Sequence, residues 1–101
     1  MDMRQMLEQA QNLTRALADL EARFKAQELE AASRDGAVTL RLNGAYEVLG
    51  VRIAPELLAA GDKAAAERAL AEALRTVLAS VKTYREEQRA KVTGGMHLPE
   101  F

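Results

Sequence analysis

Apolar side chains recur with helical spacing along the first quarter of the chain. They alternate steps of three and four residues, at Met3, Met6, Ala10, Leu13, Leu17, Leu20 and Phe24. A heptad spacing sustained over about three repeats is typical of a helix that packs along another helix. Asp2 precedes the run and is a candidate N-cap. The pattern therefore predicts a long first helix that begins near residue 3.

The period then changes from that of a helix to that of β-strands. Residues 28–33 precede Asp35-Gly36, which is a strong turn signal, and are read as a short strand. Two further segments alternate apolar and polar side chains, with the apolar positions at Val38, Leu40 and Leu42 and then at Leu49, Val51 and Ile53. These segments predict a three-stranded antiparallel sheet.

The turn between the second and third strands can be placed in two ways. A Gly44-Ala45 loop sets Leu40 opposite Leu49 and keeps the apolar face together, as suits a type II′ turn. An Asn43-Gly44 loop sets Leu40 opposite Glu47, although Asn-Gly is the stronger intrinsic turn signal. We expect the Gly44-Ala45 loop, and the register of the hairpin tests that choice.

A second long helix follows the sheet. Pro55 ends the third strand and can open a single helical turn over residues 55–58, and Asp62 is a candidate cap for a helix from about Lys63 to Val92. Such a helix of about 30 residues spans roughly 45 Å, whereas a compact domain of this size is only about 34 Å across. The helix is therefore expected to protrude.

The pattern as a whole describes one α+β domain over residues 1–93, followed by a flexible tail over residues 94–101. In a single chain, apolar side chains on the protruding helix and on one of the two faces of the sheet would remain exposed to water. We therefore expect a homodimer. Its interface is expected at the hairpin residues Val38, Leu40, Tyr46, Val48, Leu49 and Val51.

Composition narrows the functional classes. The 101 residues include no cysteine, which removes disulfides, thiolate catalysis and the usual structural zinc sites. The chain has neither a signal-peptide pattern nor a long apolar run, so a cytoplasmic protein without a membrane partner is expected. The net charge of −1 argues against a generic polyanion binder, yet residues 63–101 hold seven bases against five acids.

Candidate chemistry is scarce. His97 is the sole histidine, so a metal site or a nucleophile-base pair lacks its usual partner. The glutamates at 28 and 30 and at 86 and 87 are read as solvated charge, and no phosphate-binding glycine motif is present. We expect no enzymatic activity, no cofactor, no metal and no small-molecule substrate.

One arrangement of charge is a candidate DNA-binding surface. Basic residues recur every seven positions at Arg68, Arg75, Lys82 and Arg89, and Arg85 lies one turn before Arg89. Seven residues are nearly two helical turns, so the row is continuous and rises about 31 Å, close to the roughly 34 Å of one turn of B-DNA. The alternative is an exposed face with weak ion pairs, Arg68 with Glu72 and Lys82 with Glu86. Spacing alone leaves both readings open.

The order of the parts, together with several short motifs, resembles the YbaB/EbfC family of bacterial nucleoid-associated proteins. The motifs are Asn43-Gly44 at the end of a strand, Val51 and Ile53 followed by Pro55 and Leu57-Leu58, and the tail Gly95-Met96-His97-Leu98-Pro99. Each motif is weak alone, but their order and spacing extend over essentially the whole chain. The resemblance is therefore fairly specific.

The resemblance implies a tweezer-like homodimer that binds double-stranded DNA in the bacterial nucleoid with little sequence preference and no catalysis. Carried onto this chain, it implies DNA contacts from Arg68, Arg75, Lys82, Arg85, Arg89 and Lys91 on the second long helix and from Arg4 and Arg15 on the first. The alternative function is a coiled-coil-like adaptor that binds another protein through the helical seams and does not bind DNA.

Overall fold

The predicted order of elements is confirmed by a computed structural model, which describes residues 2–93. Its elements are helix α1 (Met3–Ala26), strands β1 (Glu28–Ala32), β2 (Val38–Asn43) and β3 (Val48–Ile53), the short helix α2 (Pro55–Ala59) and helix α3 (Lys63–Thr93). The strands form one antiparallel sheet in the order β1-β2-β3. The predicted flexible tail, residues 94–101, lies outside the described residues.

Both long helices begin at the aspartates that the sequence nominated as caps. The Oδ1 atom of Asp2 accepts a hydrogen bond of 2.8 Å from the Gln5 N–H. The Oδ1 atom of Asp62 accepts one of 3.1 Å from the Ala65 N–H. Each cap satisfies a backbone donor that has no partner within its helix, which fixes where the helix starts.

The predicted Asp-Gly turn joins β1 to β2. Asp35 Oδ1 accepts hydrogen bonds from the Ala37 N–H at 3.0 Å and from the Ser33 hydroxyl at 2.7 Å. These two bonds, the backbone one first, lower the pKa of the Asp35 carboxyl because they favour its charged form. Gly36 has a φ of +75°, which glycine adopts without strain.

The hairpin between β2 and β3 has neither of the two predicted registers. Leu40 pairs with Val51, and Val38 pairs with Ile53. The Asn43 N–H donates to the Glu47 carbonyl at 3.0 Å, so the loop between these two residues contains three residues rather than two. Leu49 has no partner on β2 because the register shifts beside it, which forms a β-bulge.

The side chain of Asn43 explains the three-residue loop. Its Oδ1 atom accepts hydrogen bonds from the Ala45 N–H at 2.9 Å and the Glu47 N–H at 3.0 Å. Its Nδ2 atom donates to the Lys25 carbonyl and to the Glu47 carboxylate. The loop ends at Tyr46, whose φ of +65° lies in the left-handed region. The buried amide thus organises the turn and ties it to the end of α1.

Helix α3 forms the core by packing on β1 and β2. The core side chains are Val38, Leu40 and Leu42 from β2 and Ala69, Ala73, Val77 and Val81 from α3. The α3 residues are small and follow at steps of four, so the helix can approach the sheet closely.

Strand β3 lies beside this core rather than under it. Paired residues share a face of the sheet, so Val48, Val51 and Ile53 point to the same side as the buried residues of β2. They are nevertheless exposed, Val48 at 65% and Val51 at 56%. One α3 helix therefore covers only two of the three strands on this face.

The two long helices extend beyond the sheet, as the length of the second helix predicted. The principal extents are 68 × 21 × 17 Å, and the radius of gyration is 19.1 Å. A compact chain of this length has a radius of gyration of about 13 Å. Helix α1 is buried only near its C-terminal end, at Leu20 and Phe24, while Met3 and Met6 are exposed.

Removal of a core side chain should destabilise the protein much more than removal of an exposed one. Leu42 is 2% exposed, and Leu42→Ala should lower the free energy of unfolding by roughly 2–5 kcal/mol because it leaves a cavity. Leu7→Ala, on the exposed part of α1, should change it by less than about 0.5 kcal/mol. Denaturant unfolding at one protein concentration measures both, and equal effects would contradict this core.

Candidate nucleic-acid interface

The predicted basic row lies on the side of α3 opposite the core. Each residue turns an α-helix by about 100°, which sets Arg75 about 160° from the buried Val77 around the helix axis. Arg68, Arg75 and Lys82 are exposed, and Arg89 is half-buried. The row therefore faces solvent along the length of α3.

The alternative reading required these cations to be paired with glutamates one turn later. Within residues 2–93, the ion pairs closer than 4.0 Å join Arg41 to Glu28 and Lys63 to Glu67, and neither involves the row. The Glu72 carboxylate instead accepts a hydrogen bond from the backbone N–H of Arg34 in the turn between β1 and β2. The row is thus not neutralised by intrahelical ion pairs.

Arg85 differs from the row, because its guanidinium is engaged within the chain. Its Nη1 atom donates a 2.7 Å hydrogen bond to the Gly44 carbonyl. Its Cζ atom lies 4.4 Å from the centre of the Phe24 ring and 5.3 Å from that of the Tyr46 ring. At these distances the cation is attracted by both ring faces. Of the cations predicted to contact DNA, Arg85 is therefore the one already bound to other parts of its own chain.

The remaining predicted cations are exposed. Arg4 and Arg15 are eleven residues apart on α1 and so lie on nearly the same side of it, away from the buried Leu20 and Phe24. Lys91 is exposed in the last turn of α3. Both extended helices therefore present basic groups to solvent.

The residues expected at a dimer interface fall into two groups. Val38 and Leu40 are buried within one chain under α3, so they have no free surface with which to contact a second copy. The others, Tyr46, Val48, Leu49 and Val51, are exposed. Four of the six predicted interface residues are therefore accessible to a second copy, and the other two belong to the core of one chain.

A flank of α3 extends this exposed apolar surface. Thr76 and Ser80 line a groove together with Leu29 of β1, so the opposite flank of α3 borders the uncovered β3. That flank carries Leu70, Leu74 and Leu78, which are each at least 40% exposed. The spacing of four residues places these leucines along one stripe of the helix.

The described residues offer little other chemistry. Within residues 2–93, no three His, Cys, Asp or Glu side chains are placed so that they could hold a metal ion. No helix in this part of the chain is long and apolar enough to cross a membrane.

An elongated α+β chain with an unpaired row of cations on an extended helix is a candidate nucleic-acid-binding protein. Comparison with known proteins gives its family. The chain belongs to the YbaB/EbfC DNA-binding family, whose sequence profile matches residues 1–96. The resemblance read from the sequence is thereby confirmed.

Individual relatives match most of the chain. A nucleoid-associated protein of Synechococcus sp. (strain RCC307) is 38% identical over 90 residues, covering 89% of this chain and 80% of the relative. A nucleoid-associated protein of Anaeromyxobacter dehalogenans (strain 2CP-C) is 30% identical, covering 98% and 96%. The crystal structure of an uncharacterized Helicobacter pylori protein superposes with a TM-score of 0.84 at 25% identity, covering 92% and 98%. The fold is therefore that of a solved structure.

Proposed function

We propose that this protein is a homodimer that binds double-stranded DNA in the bacterial nucleoid, without catalysis and with little sequence preference. Its DNA contacts are made to phosphates by the cations of α3, namely Arg68, Arg75, Lys82, Arg89 and Lys91, together with Arg4 and Arg15 of α1. Membership of a DNA-binding family and relatives named as nucleoid-associated proteins support this proposal.

The observation that carries the proposal is the unpaired basic row on α3. The 21 residues from Arg68 to Arg89 rise about 31 Å, so cations recur along a length close to one turn of B-DNA. Free, exposed cations can displace the counterions condensed on phosphates, and cations held in ion pairs would first have to break them. Phosphate contacts carry no sequence information by themselves, which accords with a low sequence preference.

The uncovered apolar surface supports the homodimer. It combines β3 of the sheet, at Val48 and Val51, with the leucine stripe of α3 at Leu70, Leu74 and Leu78. A second copy presents the same surface, so a two-fold pairing would bury both at once. The cations lie opposite the core and about 90° around α3 from the leucine stripe, so they are not part of the apolar surface that such a pair would bury.

A second candidate function rests on the exposed seam of α1. Met3 is 77% exposed, and Met6 and Leu13 lie on the same seam. Methionine-rich helical faces adapt to partner helices, so an adaptor that binds another protein would use this seam. A protein partner that no longer binds after Leu13→Asp or Leu17→Asp, with no DNA retained at low salt, would favour this function over DNA binding.

Removal of cations from the row should weaken DNA binding in a salt-dependent way. The triple variant Arg75→Ala, Lys82→Ala, Arg89→Ala should bind a duplex at least about tenfold more weakly at low salt, because it neutralises fewer phosphates. The slope of log K against log salt should also become shallower by roughly 0.9 for each phosphate that is no longer neutralised. Fluorescence anisotropy over a salt titration measures both quantities.

The matched control is Arg23→Ala, Arg34→Ala, Arg52→Ala, which removes the same charge from exposed positions outside the row. It should keep most of the affinity and the wild-type slope. Equal reductions of affinity in the two triple variants would mean that only net charge matters, and the proposed row would then be wrong.

A charge on the uncovered strand should disrupt the dimer. Val51→Asp would bury an unpaired carboxylate in the proposed interface, so it should raise the dimer dissociation constant by at least about tenfold. Arg52→Asp places the same side chain on the opposite face of β3 and should leave the dimer intact. Analytical ultracentrifugation at micromolar concentration measures the mass, and a monomeric wild-type protein would refute the homodimer.

A further inference from the structure

We infer that Arg85 is a positioning residue: it fixes the direction of α1 relative to α3 and so sets where the cations of the two helices meet DNA. The inference rests on the proposed DNA binding for its functional consequence. Its structural part, the fixed angle between the helices, can be measured without DNA.

Arg85 lies where α1, α3 and the hairpin turn meet. Gly44 in the turn donates its N–H to the carbonyls of Phe24 at 2.7 Å and Gln27 at 3.0 Å, which ties the turn to the end of α1. The carbonyl of the same Gly44 accepts the hydrogen bond from Arg85 of α3. One residue of the hairpin is therefore bonded to both long helices.

The fit around Gly44 is tight. A Cβ atom at this position would lie 2.8 Å from the Phe24 carbonyl oxygen and 2.8 Å from Cε1 of Tyr84. Such distances exclude any side chain, so the turn, the end of α1 and the C-terminal half of α3 are in direct van der Waals contact. A small change in the direction of α1 would disturb this contact.

Aromatic rings complete the junction. Phe24 and Tyr84 pack edge to face, with their ring centres 5.7 Å apart, and Phe24 is 1% exposed. The Arg85 guanidinium lies over Phe24 as well as near Tyr46. A planar guanidinium can stack and donate a hydrogen bond together, whereas a lysine ammonium cannot reproduce that combination.

The junction determines where the far end of α1 lies, because α1 is long. The 20 residues from Phe24 to Arg4 span about 30 Å of helix, so a rotation of about 10° at Phe24 displaces Arg4 by about 5 Å. That displacement exceeds the length of a hydrogen bond to phosphate. Phosphate contacts from α1 and α3 can therefore form together only if the junction holds its angle.

The first test is DNA affinity of Arg85→Lys, which keeps the charge and removes the stacked, hydrogen-bonded guanidinium. If Arg85 contacts a phosphate, lysine should serve nearly as well. As a positioning residue it should not be replaceable, and Arg85→Lys should bind about fivefold to tenfold more weakly, close to Arg85→Gln. Arg23→Lys, an exposed arginine next to Phe24, is the matched control and should bind like wild type.

The second test measures the angle directly. The chain has no cysteine, so Gln11→Cys on α1 and Ala79→Cys on α3, both exposed, accept spin labels selectively. Pulsed electron spin resonance on labelled protein diluted in unlabelled protein reports the distance within one chain. Arg85→Lys should broaden or shift that distance, and Phe24→Leu, which removes a ring without changing charge, should do the same. Arg23→Lys should not, and circular dichroism checks that each variant is folded.

The outcomes separate the two proposals. Weaker binding together with a changed distance supports the positioning role. A changed distance with unchanged affinity, weaker binding with an unchanged distance, or no change in either overturns it. If the wild-type protein does not bind DNA, the proposed function fails, and an unchanged distance in the Arg85→Lys protein would independently refute the structural part.

Discussion

The packing of α3 on β2 is the constraint on which the rest of the structure depends. Val38, Leu40 and Leu42 are buried against the small residues of α3, and no other pair of elements places so many side chains in the core. One narrow stripe of α3 provides that packing. The opposite side of the helix is left free for cations, and β3 is left without cover.

Both proposed functional surfaces follow from this one-sided packing. A helix of 31 residues is much longer than strands of five or six residues, so its C-terminal part extends past the sheet together with α1. The uncovered strand and the leucine stripe supply an apolar surface on one side of α3, and the basic row lies on another. The proposed DNA contact and the proposed pairing of two copies therefore involve different residues.

Much of the fold could be predicted from local patterns, because residues close together in the sequence determine the caps, the helical seams and the alternating strands. The hairpin register could not. The Asn43 amide forms a three-residue loop and Leu49 forms a bulge, and neither is visible in the apolar alternation that guided the choice of turn. The burial of Leu40 within one chain depended on the same long-range packing.

The candidate site was predictable in its spacing but not in its partners. The seven-residue recurrence identified the row, whereas the engagement of Glu72 by Arg34 and of Arg85 by Gly44 joins residues about 40 positions apart in the chain. Tertiary contacts thus decided which cations are free.

The most direct test of DNA contact by α3 is a nuclear magnetic resonance titration. Amide chemical shifts of the isotope-labelled protein are recorded at low salt while a duplex of about 20 base pairs is added. We expect perturbations centred on Arg75, Lys82 and Arg89 that disappear as salt is raised. Perturbations confined to the sheet, or none along α3, would contradict DNA binding through this helix.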